Sequence, residues 1–457
     1  MFGKKLTACA MAVVLACGMM PGLAHAEVRK ADVVMGQTVE ERGLSVSQSP
    51  SIGADHAALV SSDGDVYFTR DGEGESQIAS ITKVMTAIVT LDHARTDTMV
   101  TVSQAAAEIG ESSANLQQGD TMDLSSALKA LLVPPGNDAA VALAETVGAT
   151  MLGNARATGD ESVSAFVDAM NAKAAEIGLE NTVYENPHGL DDGEYAGNLH
   201  STALDQTKVA KCAMTYPEIR SIVSGGSTSI QVHRAGKVET VELETTDLLL
   251  DMYDFAIGIK TGVTNLAGPS FMGAANKDGR ELYAVVLGSE DEYSRFEDAQ
   301  KLFDWAYGHF VEYSYIDTDV WTTMRKDGSS AEVPVVAEAP HTEWIDRSVK
   351  ATIADSENAM TVFDLEGNVN QKIELDELHG TVDVGDKVGT MTLLQQNKPI
   401  KVIDLVACER IESPNPIDTI AIWWQRFTQG LEGQKAYAPE KVHNVLPLLN
   451  DNRSSAA

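Results

Sequence analysis

The hydrophobic and polar positions between about Ala54 and His309 switch between two periods. In HAALVSSDGDVYFTRDG, apolar and polar residues alternate on both sides of a turn at Ser62 to Gly64, which predicts a β-hairpin. Three more strands are predicted in YDFAIGIKTG, GPSFMGAANKDG and RELYAVVLGS, and a Lys277-Asp278-Gly279 turn joins the last two.

Helices are predicted where apolar residues recur three and four positions apart. One follows Ser80, and another ends at Pro134-Pro135, which cannot continue a helix. Asn137 therefore falls in a tight connection before the next helix, DAAVALAETVG. Further helices are predicted over about 164–177 and in RFEDAQKLFDWAYGHF. Strands flanked by helices, with an antiparallel hairpin near the end, indicate an α/β or α+β domain over residues 54–310.

Residues 311–412 lose the helical period. Short runs such as VKATIA, QKIELDE and PIKVIDLVA are separated by turns that contain Gly, Asp and Asn. This pattern predicts a small all-β domain.

A helical period returns after ESPNPID, in the tail over residues 413–457. Two interpretations of this amphipathic helix stay open: its apolar face packs against the β domain, or residues 417–431 make a peripheral contact with a membrane. Arg426 is nearly the only basic residue nearby, and the last twenty residues are expected to form a mobile end. The shared face consists of Ile417, Ile420, Ala421, Trp424, Phe427, Thr428 and Leu431.

The chain has 457 residues, 44% of them hydrophobic, which is enough for two or three domains. Residues 1–26 carry two lysines, an apolar run and a small-residue site at Ala24-His25-Ala26, the pattern of a secretory signal peptide. We therefore expect an exported mature chain with a lead-in over 27–53. The alternative is a lipoprotein signal that leaves Cys17 acylated, although Leu15 fits that pattern poorly.

The formal net charge is −33 at pH 7. Such a surface repels nucleic acid and anionic lipid headgroups at long range, so we expect no nucleic-acid partner. Cys212 and Cys408 lie far apart in the mature chain and predict no disulfide framework. Carboxylate runs such as Glu290-Asp291-Glu292 lack the spacing of metal ligands, and we expect neither a metal nor a cofactor.

Ser80 and Lys83 lie three residues apart at a predicted helix start, in ASITKVMTAI. Residues at this spacing share one helix face. A serine hydroxyl is a poor nucleophile unless a base takes its proton, and a lysine serves as that base only when burial and a second cation destabilise its ammonium form. Taken alone, Ser-x-x-Lys is a weak signal, and a hydroxyl and an amine on a solvated face explain it more simply.

Two later segments supply matching groups. Lys260-Thr261-Gly262 ends a predicted strand: the glycine lets a substrate backbone approach, the threonine offers a hydroxyl, and the lysine offers a charge for an anionic group. Asn137 carries an amide that can accept from a lysine and donate to a substrate carbonyl. The alternative for the first segment is a plain strand end with a turn.

Ser-x-x-Lys, a later loop with Asn, and Lys-Thr-Gly, in that order, resemble the penicillin-binding protein and serine β-lactamase superfamily. More narrowly, ASITKVMTAIV, GNDAAVALAE, NTVYENPHGLD, GIKTGVTNLAG and RFEDAQKLFDW resemble low-molecular-mass penicillin-binding proteins that are D-alanyl-D-alanine carboxypeptidases. The resemblance runs from about Ala54 to Phe310 and, more weakly, through the β domain and the tail. It implies a β-lactamase/transpeptidase-like catalytic domain with an antiparallel sheet flanked by helices, in an extracytoplasmic cell-wall enzyme.

The resemblance also implies catalytic roles. Ser80 would be the acylated nucleophile and Lys83 the base that activates it. Asn137 would hold Lys83 and the substrate amide. The backbone N–H groups of Ser80 and Val263 would form the oxyanion hole.

Substrate binding follows from the same resemblance. Lys260 would supply the electrostatic field beside Gly262. Thr261 would bind the terminal carboxylate of the D-alanine with help from Arg295, which lies ten residues before Trp305 in a segment like the family's.

One position departs from the family pattern. The family's loop reads Ser-x-Asn, whereas this chain has Pro135-Gly136-Asn137. The missing hydroxyl normally helps to relay a proton toward the leaving amine, so a water or another serine must act, or turnover is slow. Ser113, or its neighbour Ser112, is a candidate substitute. His188 lacks the Gly-x-Ser-x-Gly context of a catalytic triad, and we expect it to be structural.

The motifs thus predict a serine D-alanyl-D-alanine carboxypeptidase that trims peptidoglycan stem peptides ending in D-Ala-D-Ala and is inhibited by β-lactams. A D,D-endopeptidase and a β-lactam hydrolase use the same acyl-serine and stay open as alternatives. A weakly active module that binds peptidoglycan or is acylated once is the alternative outside enzymes.

Overall fold

A computed structural model describes residues 27–45, 48–95, 97–154, 156–326, 328–431 and 438–449. The predicted signal peptide and the alternative acylation site at Cys17 lie outside these residues. Within the described ranges, no helix is both long and apolar enough to cross a membrane.

The helices follow the predicted order but begin at caps that apolar spacing does not reveal. The helix predicted over about 164–177 begins at Gly159, because Thr158 and Glu161 form a capping box. The helices are α1 Val39–Arg42, α2 Thr82–His93, α3 Gln104–Glu108, α4 Leu124–Leu132, α5 Asn137–Met151, α6 Gly159–Glu176, α7 Ala203–Ala213, α8 Pro217–Val223, α9 Leu249–Met252, α10 Ser294–Gly308 and α11 Pro416–Leu431.

The strands divide between a main sheet, a smaller sheet near the site, and the C-terminal β region. In chain order they are β1 Val33–Val34, β2 Gln37–Thr38, β3 His56–Ser61, β4 Val66–Arg70, β5 Met99–Thr101, β6 Thr121–Asp123, β7 Thr228–Arg234, β8 Lys237–Leu243, β9 Ala256–Gly262, β10 Ser270–Lys277, β11 Arg280–Leu287, β12 Phe310–Ser314, β13 Trp321–Lys326, β14 Ser329–Pro334, β15 Ala337–Pro340, β16 Ser348–Ile353, β17 Ala359–Phe363, β18 Val369–Leu375, β19 Lys387–Gln395, β20 Lys398–Ala407 and β21 Lys441–Val442.

The main sheet is antiparallel, with the order β2-β1-β4-β3-β11-β10-β9. The predicted hairpin is β3–β4, and the predicted turn joins β10 to β11. Side chains alternate between two apolar cores: Ala58 and Val285 point into one, and Ala57 and Val286 into the other. Helix α10 covers one face, α7 and α8 cover the other, and α2, α4 and α5 belong to the same core as α7 and α8. This arrangement confirms the predicted α/β (α+β) class.

The region after α10 is built from strands, as predicted. Its largest sheet has the order β18-β19-β20-β16-β15-β21, and β12–β17 and β13–β14 form separate pairs. The core of this region is apolar and includes Val349, Met391 and Leu405. The expectation of a mobile C-terminal end is wrong for residues 438–449, because β21 pairs with β15 and Leu446 packs against this core.

The amphipathic helix α11 leaves its apolar face in solvent. Ile417 is 78% exposed and Phe427 is 53% exposed. The helix contacts the β region through Arg426, whose guanidinium donates to the Thr342 and Trp344 carbonyl oxygens. Packing of the apolar stripe against the β domain, one of the two interpretations of the tail, is therefore wrong.

Candidate active site

Ser80 lies in a single 3₁₀ turn, Ala79–Ile81, that runs directly into α2. Ala79 has a left-handed backbone with φ +47°, which is costly for a residue with a side chain. Gly189 holds this turn from the other side, since a Cβ there would lie 1.9 Å from the Ala79 carbonyl oxygen. Close packing therefore fixes the strained turn that presents Ser80.

Lys83 is fully buried one turn further along α2. Its Nζ lies 2.8 Å from Ser80 Oγ, 2.7 Å from Asn137 Oδ1 and 2.7 Å from the His188 carbonyl oxygen. Burial and the nearby Lys260 ammonium hold the pKa of Lys83 well below its usual range. A neutral amine has two N–H donors and one lone pair. The donors match the two carbonyl-type oxygens, which leaves the lone pair for the hydroxyl proton of Ser80.

Asn137 begins α5, whereas the sequence predicted it in the connection before that helix. While Oδ1 faces Lys83, Nδ2 donates to the Gly110 carbonyl oxygen at 3.1 Å. The Asn137 N–H donates to the Ser112 carbonyl oxygen at 2.9 Å. This buried amide therefore joins the base to the neighbouring loop and fixes both.

Lys260 and Thr261 lie near the end of β9, the edge strand of the main sheet. Lys260 is buried, and burial together with the Arg295 guanidinium lowers its pKa to about 7, against the opposing effect of Asp247. Its Nζ donates to the Thr261 carbonyl oxygen at 3.3 Å. Lys260 is thus the second cation that a lysine base requires, because its charge lowers the pKa of Lys83.

Gly262 is needed for close packing, in addition to the substrate approach that the sequence suggested. A Cβ at this position would lie 2.9 Å from the Ile78 carbonyl oxygen and 3.3 Å from the Ala79 Cβ. The glycine lets β9 pack directly against the turn that carries Ser80. The glycine also lines the cavity that contains Ser80, so room for a substrate backbone stays a prediction beside this close approach of two protein segments.

A cavity of about 490 Å³ extends from Ser80 toward the start of α10. Thr261, Val263 and Arg295 line it together with Ser80. Arg295 Nη1 donates to the Gly262 carbonyl oxygen at 3.2 Å, and its Nε is buried without a hydrogen-bond partner among the described residues. A guanidinium and a hydroxyl at one end of a cavity are suited to an anionic group such as a carboxylate.

A second cavity, of about 290 Å³, lies on the other side of the nucleophile. Ser80, Asn137 and Val263 line it, together with Gly189 and Ser112. Ser80 therefore lies where the two cavities meet, which is where an extended chain crossing both would place one of its bonds.

The structure separates the two serines that were candidates to replace the hydroxyl missing at Pro135. Ser113 Oγ donates to Asp138 Oδ2 at 2.6 Å and accepts from the Asn115 N–H at 2.8 Å, so it supports the loop. Ser112 lines both cavities with Ser80, and Pro135 lines the larger one. Ser112 is thus the better placed of the two.

His188 contributes its backbone rather than its ring to the site. The carbonyl oxygen accepts from Lys83, while Nδ1 accepts from the Leu190 N–H at 3.2 Å. The ring is buried and meets Tyr195 edge-on at 4.7 Å. Burial and the Lys83 amine lower the pKa of His188 to about 3, which keeps the imidazole neutral at physiological pH.

Sequence reasoning missed Thr246, which lines the larger cavity, and Asp247, which lies behind it. Thr246 Oγ1 is 2.6 Å from Thr261 Oγ1, and Asp247 lines a small cavity with Lys260. In TTDLLL, an acidic residue two positions before Leu249 is typical of a helix cap, and Asp247 Oδ1 does accept the Leu249 N–H. Because helix capping alone accounts for the sequence pattern, the sequence does not indicate that this carboxylate also lines a cavity with Lys260. In the part of the chain that the structure describes, no cluster of three or more His, Cys, Asp or Glu is arranged to hold a metal ion.

Comparison with known families agrees with the site's geometry. A family model described as D-alanyl-D-alanine carboxypeptidase matches residues 44–291. This range includes Ser80, Lys83, Asn137 and Lys260 and ends before Arg295.

Individual relatives agree with this family. The chain is 30% identical over 264 residues to the D-alanyl-D-alanine carboxypeptidase DacF of Bacillus subtilis, which covers 56% of this chain and 63% of DacF. It is 32% identical over 247 residues to DacB2 of Mycobacterium tuberculosis, which covers 53% of this chain and 78% of DacB2. The crystal structure of the Streptomyces K15 DD-transpeptidase superposes with a TM-score of 0.53 at 29% identity, over 57% of this chain and 98% of that one.

Proposed function

This chain belongs to the D-alanyl-D-alanine carboxypeptidase family, and from that premise we propose that it releases the terminal D-alanine of peptidoglycan stem peptides through an acyl-enzyme on Ser80. The observation that carries this proposal is the position of Lys83 Nζ, 2.8 Å from Ser80 Oγ and between two carbonyl-type oxygens. An amine in these surroundings is suited to accept the hydroxyl proton.

In the acylation step, Ser80 Oγ attacks the carbonyl carbon of the penultimate D-alanine while Lys83 takes the hydroxyl proton. The new C–O bond creates a tetrahedral oxyanion, which the backbone N–H groups of Ser80 and Val263 stabilise. One such donor is typically worth about 3–4 kcal/mol. When the C–N bond breaks, its electron pair stays on nitrogen, which receives the proton from Lys83 and leaves as free D-alanine.

Deacylation reverses these proton transfers with water in place of the amine. Lys83 takes a proton from water as its oxygen attacks the ester carbon, and Ser80 Oγ recovers a proton when the C–O bond breaks.

In the acylation step, Ser112 is the hydroxyl that relays the proton from Lys83 to the leaving amine, in place of the residue missing at Pro135. Its position beside Ser80 in both cavities supports this role.

The terminal carboxylate of the substrate binds at the end of the larger cavity. Thr261 donates its hydroxyl, and Arg295 provides the cation. Lys260 supplies the field that stabilises both the bound anion and the neutral form of Lys83. Gly262 keeps β9 close enough to Ser80 for these groups to act on one substrate.

Two measurements test the proposal together. Mature protein is incubated with a pentapeptide ending in D-Ala-D-Ala, and free D-alanine is quantified. A second sample is exposed briefly to penicillin and analysed by intact and peptide mass spectrometry. We expect D-alanine release and a penicilloyl adduct on Ser80. An unmodified Ser80 together with an intact pentapeptide would refute the proposed function.

The alternatives are separated by their products. A D,D-endopeptidase would cleave a crosslinked dimer faster than the pentapeptide, and a β-lactam hydrolase would release penicilloate rapidly. A module that is acylated once would carry the adduct but release no D-alanine. We expect slow release of bound penicillin and preference for the pentapeptide.

We further propose that the enzyme is exported and acts in the cell envelope, with α11 docked on a membrane. The exposed aromatic cluster of Trp423, Trp424 and Phe427 supports this docking, because aromatic side chains favour the membrane–water boundary. Since the chain is strongly acidic, zwitterionic vesicles are the appropriate probe. We expect co-sedimentation with such vesicles and its loss in Trp424→Ser/Phe427→Ser. Equal sedimentation of both proteins would contradict the docking.

A further inference from the structure

Asp247 is a buried carboxylate on the wall behind the substrate cleft. It is 5% exposed and lines a small internal cavity with Lys260 and Thr261. Oδ1 accepts the Leu249 N–H at 3.0 Å, whereas Oδ2 is buried and has no hydrogen-bond partner among the described residues. A buried carboxylate oxygen without a hydrogen bond is costly, so an explanation must come from the charges around it.

The charged groups that act on Asp247 are both cations. They are Lys260 on β9 and the Arg295 guanidinium on α10. In turn, Asp247 raises and Arg295 lowers the pKa of Lys260, and the Lys260 ammonium lowers the pKa of Lys83. Within the described part of the chain, Asp247 is the acidic group that acts on Lys260, and it acts on Arg295 together with Glu292.

The segment that carries Asp247 also touches a substrate-binding side chain. Thr246 Oγ1 lies 2.6 Å from Thr261 Oγ1. Hydrogen bonds on both sides hold Asp247 in place: its N–H donates to Thr245 Oγ1 at 3.1 Å, and its carboxylate accepts from Leu249. The carboxylate is therefore fixed relative to both Lys260 and Thr261.

We propose that Asp247 is a positioning residue that keeps Lys260 cationic and so maintains the field at the carboxylate-binding end of the cleft. This inference rests on the proposed carboxypeptidase function. Without Asp247, the buried ammonium of Lys260 would have only the like charge of the Arg295 guanidinium acting on it, which favours loss of its proton. A neutral Lys260 would neither attract the substrate carboxylate nor suppress the protonation of Lys83.

The pH dependence has a definite sign. Burial raises the pKa of Asp247 to about 7. Below that pH the wild-type carboxyl is protonated, so wild type and Asp247→Asn carry the same charge there. Above it, wild type keeps a negative charge beside Lys260 and the variant does not. The two proteins should therefore agree at acid pH and diverge as the pH rises.

The experiment measures the second-order rate of Ser80 acylation by a fluorescent penicillin between pH 5 and 10. In Asp247→Asn we expect the alkaline limb of the plot of acylation rate against pH to move to lower pH by about one unit or more. This is the shift that loss of one nearby charge typically produces. At pH 8 the rate should fall by about tenfold, since one pKa unit corresponds to a factor of ten. The matched control is Asp251→Asn, which removes an exposed carboxylate from the same short helix and should leave the profile unchanged.

Four outcomes are distinguishable. If wild type is not acylated at any pH, the proposed function fails. If wild type is acylated and the Asp247→Asn profile superimposes on it, only the role of Asp247 fails, because an asparagine oxygen can still accept the Leu249 N–H and preserve the cap. Thermal unfolding of Asp247→Asn and Asp247→Ala completes the test. Positioning is supported if the melting temperature falls in the Asp247→Ala variant but not in Asp247→Asn, while the alkaline limb of the acylation profile shifts in both. A lower melting temperature in both without any pH shift would overturn it.

Discussion

Gly189 lies so close to Ala79 that a Cβ on the glycine would sit 1.9 Å from the Ala79 carbonyl oxygen. Gly189 also has φ +89°, a conformation that side chains disfavour. Gly189→Ala should therefore push the loop off the turn that presents Ser80. We expect at least a hundredfold loss of penicillin acylation, about what a displacement of 1 Å in an active site can cost.

Gly193→Ala is the matched control for this substitution. Gly193 also has a left-handed backbone, with φ +58°, but a Cβ there would meet nothing within 4 Å. It should lose about 1–2 kcal/mol of stability from backbone strain alone and keep its acylation rate. Equal acylation rates in the two variants would show that contact with Ala79 does not hold the nucleophile.

Lys83 should be replaceable neither by methionine nor by arginine. Methionine cannot accept a proton, and arginine keeps its proton at any accessible pH. Both variants should lose about 10²–10⁴-fold in acylation rate, the usual contribution of a general base. Exchange of the solvent-exposed Lys372 for methionine is the control and should change little. Acylation at the wild-type rate in Lys83→Met would rule out the base.

The lowered pKa of Lys83 also predicts how stability depends on pH. Between the folded-state pKa and the ordinary lysine range, the unfolded chain binds a proton that the native state does not, so the free energy of unfolding rises with pH. Urea unfolding of wild type and Lys83→Met at several pH values in this window gives the free energy of unfolding at each pH. The slope of this free energy against pH should be smaller in the variant. Identical slopes would mean that Lys83 is protonated in the folded protein.

The relay through Ser112 predicts opposite effects at two positions. Ser112→Ala should slow D-alanine release, because a hydroxyl that lines the cavity with Ser80 is lost. Pro135→Ser in that background should restore release by supplying the hydroxyl from the other loop. Pre-steady-state acylation and deacylation rates separate the two steps. Ser113→Ala is the control; it should cost stability through Asp138 rather than turnover. A fully active Ser112→Ala would exclude the relay.

Much of the catalytic region could be predicted because its signals are local. The hairpin β3–β4 and the strands β9 to β11 follow the alternation of apolar residues, and Ser80, Lys83 and Lys260 follow from two short motifs, Ser-x-x-Lys and Lys-Thr-Gly. Their assembly depends on contacts that no motif encodes: Gly262 against Ile78, and Gly189 against the Ala79 carbonyl.

Other elements carry no local signal. Strand β21 has only two residues and exists because it adds to the edge of β15. Strand β13 contains no buried residue, so no apolar run facing a core marks it. Asp247 has the sequence pattern of a helix cap, and only the three-dimensional structure brings it to Lys260 and Thr261. Long-range contacts decide all three cases.

Arg295 should matter only for substrates that end in a carboxylate. Its guanidinium lines the cleft beside Thr261, so Arg295→Leu removes a charge-assisted hydrogen bond to the terminal anion. Such a bond is typically worth about 1.5–3 kcal/mol, which corresponds to roughly 10- to 100-fold in kcat/KM. A substrate with a C-terminal amide is the control, and both proteins should process it equally slowly. A similar loss on both substrates would place Arg295 in the scaffold instead.

The N-terminal segment is tied to the main sheet by a buried ion pair, and its removal should be costly. Asp32 is 2% exposed and Arg70 is 1% exposed. Arg70 donates to both Asp32 oxygens, at 2.9 and 2.7 Å, and its remaining N–H groups bond to the carbonyl oxygens of Glu27, Ile52 and Ala54. Asp32→Ala leaves a buried guanidinium without its counter-ion, so we expect a loss of about 3–5 kcal/mol in the free energy of unfolding.

Two further variants separate this charge effect from general loss of packing. Arg70→Met in the Asp32→Ala background removes the stranded charge and should recover part of the lost stability, although three backbone carbonyl groups lose their donor. Glu374→Gln breaks the exposed pair with Lys372, in which both side chains are more than half exposed, and should cost less than about 1 kcal/mol. Urea unfolding of the four proteins measures these differences. If the double variant is less stable than Asp32→Ala, the backbone hydrogen bonds of Arg70 outweigh its ion pair in holding the N-terminal segment.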